Sequence, residues 1–306
     1  MNARLQHRVT PSRVSPARSK IRKESPSQFD HVRLALDNYL AKAADARKHL
    51  LEHPYDPKLL HAWRVGLRRV TATLKDVAAL SDDDLDDVQR YLRVCREATG
   101  SCRDLDILAQ ETLPAFLEGE RAGKAAPLAE AVAAQQLEAH RLAVIALKKH
   151  SLAVPLQSWR HWAQVLEPPG DAKVHHVAAA AIEQRFAALK KRASRLDGSQ
   201  KRLHKLRSAT KRLRYTIELY QHAFPKQGPS AWLKRLAELQ ADLGLAHDRM
   251  MGRKLITGMV DVNSPKGALK PFRRWSKQTA YDATHKATQS LAKVQELRPY
   301  WRKHAH

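Results

Sequence analysis

The sequence predicts an all-helical protein made of two similar halves. Three observations carry that prediction: a helix-favouring composition, apolar residues at three- and four-residue spacing along most of the chain, and a set of basic motifs that recurs about 143 residues on.

Composition comes first. Among 306 residues Ala, Leu, Arg, Lys and Gln are abundant, while Gly is scarce at 11 and there are only five Phe, six Trp and seven Tyr. These are good helix formers, and no segment shows a sustained two-residue alternation of β-branched residues. From about Gln28 the helical pattern runs nearly to the end. Breaks are expected at Pro54–Pro57, Ser81, Gly100, Pro114, Gly119–Pro127, Pro168–Gly170, Gly198, Pro225–Pro229, Gly244 and Ser264–Pro271. The Pro168-Pro169-Gly170 stop divides the helical region into a first bundle, about 28–167, and a second, about 171–302. Residues 1–27 read as a disordered basic tail. Arg4, Arg8, Arg13, Arg18, Lys20, Arg22 and Lys23 are scattered there among Ser and Pro, with too little apolar surface to fold alone.

Charge bounds the partners. Lys and Arg total 55 against 31 Asp and Glu, a formal net charge of +24. A chain this basic attracts polyanions: nucleic acid, an anionic membrane or a polymeric phosphate. No apolar run approaches the roughly 18 residues needed to span a bilayer, so no membrane role is expected. No hydrophobic signal core stands near the N-terminus. Cys95 and Cys102 show neither metal spacing nor disulfide logic and fit a reducing, cytoplasmic setting.

The repeat locates the charge. His61-Ala-Trp-Arg64-Val-Gly-Leu-Arg68-Arg69 and His204-Lys-Leu-Arg207-Ser-Ala-Thr-Lys211-Arg212 both fit H-x-x-R-x-x-x-(R/K)-R, 143 residues apart. Gly100-Ser-Cys-Arg103-Asp104 is matched by Gly244-Leu-Ala-His247-Asp248, 144 residues on, and Arg90 and Lys234 share that offset. At about 100° per residue, His61, Arg64, Arg68 and Lys75 fall on one helix face. Trp63, Leu67, Val70, Leu74 and Val77 fall on the adjoining one. In the second copy His204, Arg207, Lys211 and Arg214 form the ridge, and Leu206, Leu213 and Ile217 the apolar seam. Two such ridges can line one cationic groove. Arg presents a planar fork of donors suited to phosphate oxygens, and like charges three and four residues apart repel until an anion relieves them. Arg93, Arg96 and Arg103 extend the patch. Asp104, Asp106 and Asp248 are expected to orient arginines or cap helices.

The motif set resembles the CHAD domain, the conserved histidine α-helical domain. The resemblance rests on His61-x-x-Arg64-Val-x-x-Arg68-Arg69, Arg103-Asp104-Leu105-Asp106, His204-x-Leu206-Arg207-x-x-x-Lys211-Arg212-Leu213-Arg214-Tyr215 with Glu218, and Leu243-Gly244-x-x-His247-Asp248. It covers roughly residues 28–300. It implies two four-helix bundles related by internal pseudo-symmetry, a basic central cavity, and non-catalytic binding of inorganic polyphosphate, with association to polyphosphate granules. Carried over by position, it makes His61, Arg64, Arg68, Arg69, His204, Arg207, Lys211, Arg212 and Arg214 ligand contacts. Thr71 and Lys75 depart from arginines common in the family, and His247 from its usual asparagine. The chain reads as a stand-alone binder without cofactor or metal.

Sharper chemistries fit less well. His49-Leu-Leu-Glu52-His53 has zinc-protease spacing but is followed at once by Pro54 and lacks a third-ligand motif. His247-Asp248 resembles half of a phosphohydrolase metal pair, yet the repeat already accounts for it. Nucleic acid is the main rival ligand, and some binding at low salt is expected of so basic a chain. Trp159 and Trp162, flanking His161, are the nearest thing to a stacking platform, but their three-residue spacing suits a core. A tethering role for the basic tail is a third reading.

Overall fold

The computed structural model describes residues 26–80, 85–118, 126–259 and 266–302. Apart from Pro26 and Ser27, the segment expected to be a basic tail lies outside them, as do the expected break at Ser81 and most of that at Gly119–Pro127. Among the described residues the fold is helical without a strand. The elements are α1 (Gln28–Glu52), α2 (Pro57–Ala78), α3 (Asp86–Glu97), α4 (Gly100–Ile107), a π turn (Leu108–Thr112), α5 (Leu113–Leu117), α6 (Ala126–Lys149), α7 (Ala153–Val165), α8 (Asp171–Ala193), α9 (Gln200–Tyr220), α10 (Gln227–Met259) and α11 (Lys266–Gln295), with short 3₁₀ turns after α9 and at Tyr300–Arg302.

Local chemistry sets the helix starts. Ser27 and Asp30 form a reciprocal capping box on α1, Asp56 caps α2 ahead of Pro57, and the Ser199 hydroxyl caps α9. Gly198, at φ 76°, turns the chain into that last cap. Asp171 in the first turn of α8 accepts the Gln28 amide at 2.9 Å, which ties the beginnings of α1 and α8 together.

The long helices pair as α1 with α2, α8 with α9, and α10 with both α9 and α11, and the first two pairs pack against each other chiefly through α2 and α9. The predicted seams form the core: Trp63, Leu67, Val70, Leu74 and Val77 of α2 are buried, as are Leu206, Leu213 and Ile217 of α9. Each such side chain contributes about 1.5–3 kcal/mol by leaving water. A Cβ on Gly66 would stand 2.6 Å from the Tyr39 carbonyl oxygen, so only glycine lets α1 and α2 approach this closely. One buried polar contact joins the halves directly: Asp76 of α2 accepts from Arg185 of α8 at 2.6 Å and from Thr216 of α9 at 3.0 Å.

Two expected breaks are not breaks, and a third is shorter than expected. Gly244 lies inside uninterrupted α10, because one helical glycine costs only about 1 kcal/mol and the flanking Leu243 and Ala246 are buried. The break expected over Ser264–Pro271 is over by Lys266, where α11 starts, so Pro271 lies inside that helix. Pro114, which lacks an N–H and crowds the carbonyl four residues back, is accommodated by the widened π turn that precedes it. Gly252 of α10 packs on that turn, its missing Cβ position 2.9 Å from Thr112 Cγ2.

Trp159 and Trp162 stack on each other at 5.0 Å and are buried, with the Trp159 indole N–H on Asp37. They offer no platform for bases. The His49 and His53 rings stack at the C-terminal end of α1, a polar helix terminus as its composition implies. No helix among the described residues is long and apolar enough to cross a membrane.

Candidate functional site: a cationic cavity between α2 and α9

Where α2 faces α9, the ridges beside the two apolar seams meet. They enclose a cavity of about 510 Å³ lined by His61, Arg64, Arg68, Arg69, Arg103, Arg207, Lys211, Arg214 and His247, together with Asp104, Glu111 and Asp248. A second cavity of about 550 Å³ lies beside it and is lined by Arg64, Arg68, Arg93, Arg96, His204, Arg207, Lys211 and Arg212, among others. Arg64, Arg68, Arg207 and Lys211 belong to both walls. These four cations stand between two open spaces, two from each copy of the repeated motif.

The four are poorly neutralised. Among the described residues no carboxylate lies within ion-pair distance of any of them, although Asp104 and Asp248 are close enough to act on Arg64 and Arg207 through space. Arg64 donates to the Arg96 carbonyl and, at 3.1 Å, to the Thr99 hydroxyl, which fixes its guanidinium at the junction of α3 and α4. The Nε atoms of Arg64 and Arg207 are buried without a hydrogen-bond partner. A buried donor left unpaired costs about 1–3 kcal/mol.

The electrostatic consequence is visible in Lys211, His61, His247, Arg64 and Asp248. Burial, reinforced by Arg207 and Arg68, brings the Lys211 ammonium down to about 6. Burial and the charges of Arg103, Arg68, Lys211 and Arg64 lower His61 to about 4. His247 is likewise lowered to about 4, by burial and then Arg207, His204 and Lys211. Burial lowers Arg64 to about 10, with Arg68 adding to the effect and Asp104 opposing it. Asp248 is pushed up to about 6 because burial outweighs the attraction of Arg207. Burial among like charges therefore biases Lys211, His61 and His247 towards their neutral forms, while it biases Asp248 towards its protonated one.

Not all the residues predicted from sequence reach the site in the same way. Arg69 and Arg214 line the first cavity but both turn to Glu218, at 3.3 and 2.8 Å. The Arg69 guanidinium also lies over the rings of Tyr39 and Tyr215, at 4.9 and 5.6 Å. Arg103 pairs with Glu111 at 3.6 Å. Arg93, Arg96 and Arg212 rim the second cavity, and the His204 and His247 rings approach to 5.4 Å. Lys75, Arg90 and Lys234 line neither cavity. Lys75 lies 3.4 Å from Asp86 and Arg90 3.2 Å from Asp87, both in solvent, and Lys234 is exposed on α10. Asp106 orients no arginine: its carboxylate accepts from Tyr55, Gln136 and His140. Glu111 and Gln240 belong to the wall without any sequence signal; the former is placed there by the π turn.

The arrangement suits a multiply charged anion with several oxygens and no requirement for stacking. Its donors are mostly Arg forks and a Lys, and Tyr215 is the single phenol ring in the walls.

Comparison with known proteins places the fold. The family model described as "CHAD domain" matches residues 7–257. Among solved structures, the crystal structure of the CHAD domain from the plant Ricinus communis superposes with a TM-score of 0.73 at 24% identity, over 89% of this chain and 93% of that one. A search of curated proteins finds no match. With a matching family model over most of its length, the helical fold of that solved domain and the basic motifs gathered at one cavity, the chain belongs to the CHAD domain family.

Proposed function

We propose that this chain binds inorganic polyphosphate without turning it over, in the paired cavities between α2 and α9. The observation that carries the reading is the quartet Arg64, Arg68, Arg207 and Lys211, common to both cavity walls and lacking close carboxylate partners among the described residues. Two spaces on either side of one cationic partition suit a chain of phosphates that continues past each cation. A compact anion would need only one of them. The CHAD family's general link to polyphosphate points the same way.

The quartet also supports a pseudo-symmetric reading of the fold as two helical bundles, α1 to α7 over about 28–167 and α8 to α11 over about 171–302. Arg64 and Arg207, and Arg68 and Lys211, occupy matching places in the repeated motif on α2 and α9. In this reading polyphosphate granules in the cytoplasm are where the protein acts. Nucleic acid is a weaker ligand, held by the outer arginines: a duplex is too wide for cavities of about 510 and 550 Å³, and Tyr215 is the single phenol ring that their described walls offer to bases.

The test is competition at equal phosphate concentration, with a turnover assay in parallel. Long-chain polyphosphate should displace a labelled polyphosphate far more effectively than single-stranded or duplex DNA, and its chain length should not change on incubation. Equal displacement by DNA, or shortening of the polymer, would overturn the reading.

A further inference from the structure

On the far side of α4 from the cavity stands a second, unrelated cluster. Cys102 and Asp106 lie one turn apart on α4, and His140 of α6 faces them. One donor atom from each, thiol sulfur, carboxylate oxygen and imidazole nitrogen, lies within 4.8 Å of the other two. The His140 Nε2 is 2.9 Å from Asp106 Oδ1. Cys102 is 3% exposed and Asp106 wholly buried. We propose that Cys102, Asp106 and His140 bind one Zn²⁺ ion, which clamps α4 to α6 beneath the anion cavity.

The donor set decides the class of metal. One thiolate, one imidazole and one carboxylate are the ligands of zinc and its tetrahedral substitute Co²⁺, whereas Ca²⁺ and Mg²⁺ demand oxygen alone. Zinc bonds of about 2.0–2.3 Å place tetrahedral ligands about 3–4 Å apart, so these atoms need only sub-ångström to ångström movements. A water completes the fourth position.

A supporting shell is already in place. The Tyr55 hydroxyl donates to Asp106 Oδ2 at 2.7 Å and lies 3.0 Å from the Cys102 sulfur. Its ring stacks on His140 at 3.7 Å between centroids, and Gln136 donates to Asp106 Oδ1 at 3.0 Å. These contacts hold the carboxylate and orient the imidazole, as outer-shell groups do at zinc sites. A coordinating thiol gives up its proton, so metal entry would release the Cys102 proton to solvent, and the imidazole proton would sit on Nδ1 so that the Nε2 lone pair can reach the ion. No electron transfer is involved. Because Arg103 and Asp104 stand between the two α4 ligands in sequence and line the cavity, the ion would also steady that wall, but the proposal does not depend on what the cavity binds.

The experiment is titration of the full chain with Co²⁺, followed by displacement with Zn²⁺. One equivalent should produce thiolate-to-cobalt charge-transfer absorption and the visible bands of a tetrahedral centre, with release of one proton. Zn²⁺ should abolish both sets of bands. Cys102→Ser should remove the charge-transfer band and His140→Ala should weaken binding, while Cys95→Ser, at the other buried cysteine, changes nothing. Tyr55→Phe should raise the Co²⁺ dissociation constant about 10–100-fold. Circular dichroism of each metal-free variant checks that it folds; if Cys102→Ser does not, Cys102→Ala serves. Absence of the charge-transfer band in the wild-type chain, or its survival in the Cys102 variant, would overturn the proposal.

Discussion

Arg69 of α2 lies 3.3 Å from Glu218 of α9, the same carboxylate that Arg214 reaches at 2.8 Å, so one acid neutralises two arginines of the cavity wall. Sandwiched between Tyr39 and Tyr215, Arg69 serves as a bracket between the halves. It differs in this from Arg64 and Arg207, which lack such a partner among the described residues. Arg69→Ala is expected to lower stability by about 1–3 kcal/mol, through the lost ion pair and ring contacts, and to weaken polyphosphate binding less than Arg64→Ala does. Denaturant unfolding and a binding titration on the same two variants separate the effects.

Lys211 illustrates a site maintained against stability. With its ammonium lowered to about 6 in the fold but near the usual lysine value when unfolded, the unfolded chain binds more protons between those limits. Stability from this group accordingly falls as pH drops through that window. Lys211→Met removes the buried amine while keeping its length. It should raise the melting temperature, corresponding to about 0.5–2 kcal/mol at neutral pH, and weaken polyphosphate binding. Scanning calorimetry beside a binding titration checks both signs; a variant that melts earlier contradicts the burial argument.

Binding should take up protons. A polyanion beside His61, His247, Lys211 and Asp248, lowered to about 4, 4 and 6 and raised to about 6 respectively, lifts all four towards their protonated forms. Affinity should therefore increase from about pH 8 to about pH 5, the window in which bound and free protonation differ. Calorimetric titration in buffers of different ionisation enthalpy counts the protons directly. Release instead of uptake would contradict the electrostatic picture of the cavity.

The Asp76 contact predicts a different response. Removing one partner leaves Arg185 uncompensated in a mostly buried place, so Asp76→Ala should cost about 3–5 kcal/mol. The double substitution Asp76→Leu with Arg185→Leu should cost much less, since burial already outweighs the pair's attraction in raising the Asp76 carboxyl. Urea unfolding of both variants makes the comparison.

Helix periodicity made the seams of α2 and α9 readable in the sequence, because Trp63 to Val77 and Leu206 to Ile217 repeat at the spacing of a buried face. The ridge beside each seam followed from the same geometry. What the helical wheel leaves out is distance along the axis. Lys75 shares the angle of Arg68 but lies about 10 Å further along α2, where Asp86 meets it. Glu218's hold on Arg69 joins positions far apart in sequence without a local pattern, and His140 has no motif that pairs it with Cys102 and Asp106. Gly244 and Pro114 looked like stops because local propensity disfavours them in helices; buried neighbours in one case and a π turn in the other override it.

The central claim is that four shared cations, not diffuse charge, hold the polymer. It is tested most directly by titrating polyphosphate across salt concentrations into the wild-type chain, Arg64→Ala with Arg207→Ala, and Arg8→Ala with Arg13→Ala. Each lost charge-assisted hydrogen bond is worth about 1.5–3 kcal/mol, so the cavity variant should bind at least about 100-fold more weakly and with a shallower salt slope. The tail variant should stay close to wild type. Equal losses in the two double variants would contradict a built site and leave only a basic surface.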